Sequence, residues 1–346
     1  MAQSLSELMG LDLKSEKTVC LIVLFFSQYL LTAVDNQGDY QLHIQKTTDK
    51  MEIDGRLRDA PWKEADVAKH FWMAFPTDGE KAALQTEVRM TYDDEFLYIS
   101  AVCFGDNNYI IQTLKRDIDF WEGDVFAIVI DPVNQRSNGF NFGVNPYNVQ
   151  MEATIAGQIG NRANLTGSGP PTGVNPSWDN KWFSAVATYP DRWIVEMAIP
   201  FKTLRYDASK DTWGINFIRG DIKTNAYHTW APVPVQWLTV DLGYTGALVW
   251  DNPPKAQRRN VSVIPYVTGA FDKDFVKATG ANLSPDIGVD AKIAVTSSLN
   301  LDLTVNPDFS QVEVDQQVTN LTTFSINFPE RRLFFLENSD IFSGFG

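Results

Sequence analysis

The chain has 346 residues, 44% of them hydrophobic, which is enough for two domains with filled cores. Its formal net charge of -14 repels a phosphate backbone, so nucleic acid is excluded as an expected partner. Of its 2 cysteines, Cys20 lies in an N-terminal apolar run and Cys103 in a strand-like one, so an exported chain keeps no intrachain disulfide. Cys103 is expected to be a buried, inert thiol.

In chain order, Lys14 and Lys17 precede an apolar run over residues 18–31, and Thr32-Ala33 offers a small residue for cleavage. This predicts an export signal over 1–33, because the run is shorter than the roughly 20 apolar residues a spanning helix needs. After a polar lead-in, residues 51–250 carry short apolar runs separated by turn clusters. The runs at 96–104, 125–131, 182–187, 193–199 and 213–219 predict strands, and few segments hold a helical period. A single helical turn is expected over 201–205. The Gly-, Pro-, Asn- and Ser-rich stretch 163–177 is expected to be a loop. Trp62, Trp193 and Trp213 read as core residues. Asp251-Asn252-Pro253-Pro254 breaks the pattern and predicts a domain boundary.

Beyond it the texture changes. Ile287, Val289, Ala291 and Ile293 alternate with polar residues, as do Leu299, Leu301, Leu303 and Val305, and Ser297-Ser298 stands where a turn would join them. A third strand is expected at 261–269, weakened by Pro265. Such strands fit either a half-buried sheet or an outer-membrane barrel wall, and periodicity alone favours the ordinary sheet.

The order Ile53-Asp54-Gly55, Pro61-Trp62, Tyr92-Asp93-Asp94-Glu95-Phe96-Leu97-Tyr98, Trp121-Glu122-Gly123-Asp124 and Ile128-Val129-Ile130-Asp131 resembles the family 9 carbohydrate-binding modules. The runs Val305-Asn306-Pro307-Asp308-Phe309-Ser310 and Phe328-Pro329-Glu330-Arg331-Arg332-Leu333 resemble a group of Gram-negative outer-membrane proteins. In that group a family 9-like module precedes a large uncharacterised β-barrel domain. The resemblance implies an all-β chain: an Ig-like or jelly-roll-type β-sandwich over 40–250, then antiparallel strands over 255–346 resembling the opening of a barrel. A closed bacterial barrel needs about eight strands, so the sequence is expected to be the front part of a longer protein.

Enzyme templates find little here. His43, His70 and His228 are far apart, and there is no His-Glu-x-x-His motif, nucleophile elbow or phosphate-cradling glycine loop. Glu122 and Asp124 are the one carboxylate pair to test for glycosidase chemistry.

Binding has better material. A pyranose has an apolar face of C–H groups that an indole can cover, while neighbouring polar groups bind its hydroxyls. The resemblance places the two sandwiching tryptophans at Trp121 and Trp237, with Trp230 beside the second. The family's acid falls on Ala127 and its arginine on Gly143, so Asn141 and Asn145 are the expected replacement hydrogen-bonders. Family 9 modules also carry calcium, for which Asp54, Asp93 and Asp94 are the candidate ligands here. The expected function is therefore glycan binding at the cell envelope, linked to polysaccharide uptake or catabolism. The alternatives are a structural domain docked on the barrel or, more weakly, a hydrolase of O-glycosyl bonds.

Overall fold

The computed structural model describes residues 36–111, 114–116, 123–156, 159, 162, 173–176, 178, 180–255, 261–272, 282–294 and 300–306. The expected export signal, the turn at Ser297-Ser298 and most of the 163–177 loop lie outside these residues.

Among the described residues two short α-helices, α1 (Asn36–Asp39) and α2 (Pro61–Glu64), accompany an otherwise β fold. The first strands are β1 (Gln41–Lys46), β2 (Val67–Ala68), β3 (Trp72–Phe75), β4 (Thr86–Tyr92) and β5 (Phe96–Phe104). Next come β6 (Val125–Asp131), β7 (Asn138–Val144), β8 (Gln150–Ala156) and β9 (Val174–Asn175). The set closes with β10 (Phe183–Thr188), β11 (Arg192–Pro200), β12 (Thr212–Asp221), β13 (Ala226–Thr229) and β14 (Gly246–Trp250). A 3-10 turn at Phe201–Thr203 stands where the helical turn is expected.

These strands form one continuous curled sheet in the order β10-β11-β5-β4-β1-β14-β12-β6-β7-β8-β9, with β13 bridging β12 and β3 and with β2 on β4. The expected sandwich is thus a jelly-roll-like sheet folded over on itself. The hinge is β1. Its first four residues pair in parallel with β14, and Gln45 and Lys46 pair with Thr91 and Tyr92 of β4. One six-residue strand therefore belongs to both walls.

Between the walls lies the main core. It takes Phe126, Ile128 and Ile130 from β6, Trp213, Ile215 and Phe217 from β12, Leu97, Ile99 and Cys103 from β5, and Trp193, Val195 and Met197 from β11. The alternate residues of β6 and β12 are buried as well, so β6 reads as an apolar run up to Asp131, while β12 carries the buried polar residues Asn216, Arg219 and Asp221. At the hinge, β1 alternates exposed and buried residues over its first four positions.

Two buried glutamates tie loops to the walls. Glu196 of β11 accepts the backbone N–H groups of Asp54, Gly55 and Arg56 on Oε2 and the Trp62 indole N–H on Oε1. Gly55 has φ +76 and lies so close to β10 that a Cβ would come 2.8 Å from the Ala187 nitrogen. Only glycine fits that turn and that approach. Glu152 of β8 likewise accepts from the Trp182 indole at 3.1 Å and the Asn180 backbone at 3.0 Å, and pairs with Arg116.

A separate antiparallel sheet holds β15 (Val261–Asp272), β16 (Asn282–Ala294) and β17 (Asn300–Val305). Pro265 sits in β15 opposite Val289 without interrupting the register. Val263, Ala291 and Leu303 lie side by side, as do Val267 and Ile287, and Val263, Val267, Ile287, Leu301, Leu303 and Val305 are exposed. On the opposite side Thr304 donates its hydroxyl to Asp290 at 2.7 Å. Gly288 lies under the Tyr266 ring, where any Cβ would collide with that ring and with the Asn306 carbonyl. Tyr266 in turn donates its hydroxyl to the Asn306 carbonyl at 2.8 Å.

Candidate functional site

The outward face of the β6-β7-β8-β12 wall carries the positions to which the resemblance assigns a sugar. Backbone register sets Ile218, Ala127, Gly143 and Met151 in one line across four strands. Val125, Ala127 and Met151 form a small buried cluster. A Cβ on Gly143 would meet Met151 Cγ at 3.0 Å and Ala127 Cβ at 3.1 Å. An apolar, filled floor thus replaces the acid and the arginine.

Over the same face runs the connection between β13 and β14. Its Leu238, Val240 and Leu242 pack on Val129, Ile155 and Ile218, which explains the double burial of β6 and β12. Asn216 of β12 pins both ends of this loop. Its Nδ2 donates to the carbonyls of Ala231 (3.0 Å) and Tyr244 (3.3 Å), and its Oδ1 accepts the Ala231 N–H at 3.0 Å. Arg162 holds the crest of the loop, donating Nε to the Val235 carbonyl and Nη2 to the Trp237 carbonyl, each at 3.2 Å. Its guanidinium lies 4.6 Å from the centre of the Phe75 ring. Asp78 accepts the Val235 N–H at 2.8 Å.

Trp237 rides on this anchored crest, half-buried, with its ring 6.0 Å from that of Tyr244. Its backbone is fixed at three neighbouring points, which gives the indole an anchored support. Trp121 and Glu122 lie outside the described residues. Asp124 of the same motif is buried. Its carboxylate accepts the N–H groups of Ile110 (3.0 Å) and Ile222 (2.9 Å), and burial pushes its pKa up.

Three sequence expectations are corrected. Trp230 is 4% exposed, edge-on to Tyr40 and packed on Phe217, so it is a core ring and not a stacking platform. Asn141 is buried and spends its amide on the Ile128 carbonyl. Asn145 is buried in the β7–β8 turn, where its Oδ1 accepts from Tyr147 and Val149. Strand construction takes the Asn141 amide and the turn takes Asn145 Oδ1, while Asn145 Nδ2 is buried with no protein partner among the described residues.

The candidate calcium ligands are engaged separately. Asp54 caps Arg56, Asp93 closes the β4–β5 turn by accepting from Glu95, Phe96 and the Tyr98 hydroxyl, and Asp94 pairs with Lys46 at 2.6 Å. Among the described residues no group of three or more His, Cys, Asp or Glu side chains converges on a common point.

Asn216 and Arg162 were not legible as site residues. The available signal for Asn216 was an amide inside the apolar run Trp213-Gly214-Ile215-Asn216-Phe217. Replacing it with alanine orphans buried loop groups, and Asn216→Ala is expected to lower unfolding free energy by about 2–4 kcal/mol in urea titrations.

Residues 53–234 match the carbohydrate family 9 binding domain-like family. The chain belongs to that family. Residues 259–345 match a domain of unknown function (DUF5916). Among solved structures, a family 9 carbohydrate-binding module from Caldicellulosiruptor kristjanssonii in complex with glucose is 12% identical, with a TM-score of 0.43 over 62% of this chain and 96% of that one. The same organism's module in complex with cellotriose is 13% identical, with a TM-score of 0.39 over 62% and 94%. A protein from Bacteroides uniformis described as carbohydrate-binding is 14% identical, with a TM-score of 0.44 over 61% and 99%. Among curated proteins no relative matches the chain. Family membership rests on the first match alone.

Proposed function

We propose that this family 9-like domain is a non-catalytic module that binds neutral glycan, holding a sugar ring between Trp121 and Trp237. The observation that carries the reading is the family match over residues 53–234, and the anchoring of Trp237 by Asn216 and Arg162 supports it. Because Ala127 and Gly143 leave an apolar floor, stacking supplies most of the binding. Two missing charge-assisted hydrogen bonds, each worth about 1.5–3 kcal/mol, make the site roughly 10²- to 10⁴-fold weaker than one that keeps both.

The proposal extends to the rest of the chain as two units, 40–250 and 255–346. The second is the opening of an outer-membrane barrel that displays the module at a Gram-negative envelope after export. Its support is the sheet β15–β17, which is apolar along one side, while the other carries Asp290 and Thr304 together with Ile264 and Tyr266. Its strands β15 and β16 are 12 and 13 residues long, against the roughly 9–11 that cross a bilayer.

A second reading, a structural domain docked on the barrel without cargo, is favoured by the filled floor at Ala127, Gly143 and Met151. A glycan array probed with the full chain separates the two. Retention on neutral oligosaccharides is expected, and an array with no signal would leave the docking reading.

A further inference from the structure

A second aromatic surface lies on the other wall of the folded sheet. Phe96 and Tyr98 of β5 lie on the opposite side of that wall from the core residues Leu97 and Ile99, Phe96 half-buried and Tyr98 buried beneath the lead-in with its hydroxyl donated to Asp93. Phe183 stands beside them on β10, 44% exposed, with its ring 6.0 Å from that of Phe96, which is itself 5.9 Å from Tyr98. Together with Ile53, Gln150 and Ser184 these rings line an open groove of about 460 Å³, within the range of small-molecule sites.

The polar groups of the groove are fixed by one another. Gln150 donates from Nε2 to Ser184 Oγ at 2.9 Å, Ser184 donates to Asn148 Oδ1 at 2.7 Å, and Arg116 donates to Gln150 Oε1 at 3.2 Å. The Gln150 and Ser184 oxygens each accept one of these bonds and keep a second lone pair for a hydroxyl donor. Among the described residues no charged side chain lines the groove, and Lys181 stands 5.9 Å from the centre of the Phe183 ring. An exposed phenyl face flanked by hydroxyl and amide oxygens, with the neighbouring Arg116 guanidinium engaged by Gln150, Glu152 and the Asn180 carbonyl, matches an uncharged sugar better than a peptide carboxylate, a phosphate or a metal ion.

We propose that this groove is a second glycan site, in which a neutral pyranose of a polysaccharide stacks on Phe183 and donates hydroxyls to Gln150 and Ser184. The ligand class rests on the glycan reading above, but the site is separate. It uses neither Trp121 nor Trp237 and takes Phe96, Tyr98, Phe183 and Ser184 from the other wall, with Gln150 reaching it from the start of β8. Two separate sites let one module engage two stretches of an insoluble polymer, so avidity exceeds either single affinity.

The test uses the full chain on insoluble cellulose, xylan and mannan, with Phe183→Ala, Phe183→Tyr, Trp237→Ala and the Phe183→Ala/Trp237→Ala double variant. Phe183 is exposed on an edge strand, so its variants keep the fold. Phe183→Ala is expected to weaken retention about tenfold and Phe183→Tyr to restore it, while Trp237→Ala leaves residual retention that the double variant loses. Retention unchanged by Phe183→Ala but abolished by Trp237→Ala would overturn the groove and leave the first site standing. Retention abolished by Phe183→Ala and untouched by Trp237→Ala would instead keep the groove and refute the first site. A tyrosine variant as weak as the alanine one would assign Phe183 a packing role and overturn the proposal. No retention of the wild type on any of the three polymers would remove both.

Discussion

Glu196→Ala is expected to lower unfolding free energy by about 3–5 kcal/mol, the scale for leaving several buried donors without an acceptor. Three backbone N–H groups, at 3.0, 2.8 and 3.2 Å, and one indole N–H at 2.8 Å converge on this carboxylate. The residue is fully buried on β11, and burial pushes its pKa up while these donors pull it down. What it holds is the lead-in that packs Met51, Ile53, Leu57 and Trp62 on Tyr98 and Ala198. Its loss should therefore free that segment first. Hydrogen exchange should speed at Asp54–Arg56 amides before it speeds in β5 or β11. Glu196→Gln should cost less than alanine, because its carbonyl oxygen still accepts, while its NH₂ faces other donors and keeps it below wild type. Urea titrations of the three proteins give the order, and an alanine variant within about 1 kcal/mol of wild type would show that the lead-in contributes little.

The second large effect is a pH dependence centred on His228. This residue of β13 is 1% exposed and lies opposite Arg219 of β12 in the sheet register. Among the described residues neither ring nitrogen has a protein partner. Burial, and then the Arg219 guanidinium, pull its pKa down to about 4, with Asp221 opposing them. Arg219 itself lies 4.9 Å from the centre of the Trp193 ring, and its Nε and Nη1 find no protein acceptor among the described residues. Between pH 6.5 and about 4 the unfolded chain takes up a proton at this histidine that the folded chain refuses. The contribution is complete above pH 6.5 and falls as pH drops through that window, by roughly 3 kcal/mol in all. His228→Phe, which keeps a ring without a titrating group, should flatten the profile over that range. Asp124, Asp131, Glu152 and Asp241, whose pKa values burial raises, act in the opposite sense. They are common to both proteins and cancel in the difference. Parallel wild-type and variant profiles from pH 4 to 8 would refute the assignment.

Local pattern accounts for the elements and fails at their partners. Runs bounded by Asp-rich turns placed β5 and β6 at their observed limits, and Trp62, Trp193, Trp213 and Cys103 are buried as expected. Trp230 misled because it follows a short strand whose direction is set by pairing to both β12 and β3, partners distant in sequence. The double membership of β1 in two walls is equally non-local. Asn141 and Asn145 are amides whose type suits a ligand and a strand equally well, and only the coordinates assign Asn141 Nδ2 and Asn145 Oδ1 to the backbone. Glu152 and Glu196 left a trace in the sequence, a carboxylate within an otherwise apolar run. Such a trace signals a buried network without saying what it holds. The departures at Ala127 and Gly143, by contrast, were readable from sequence, and their line across the sheet gives them a physical consequence.

The central claim is a sugar ring clamped over an apolar floor. Calorimetric titration of the full chain with neutral oligosaccharides, repeated with Trp121→Ala and Trp237→Ala, tests it most directly. Each substitution is expected to weaken the first site at least tenfold, about 1.4 kcal/mol. Affinity unchanged in both variants would contradict the clamp.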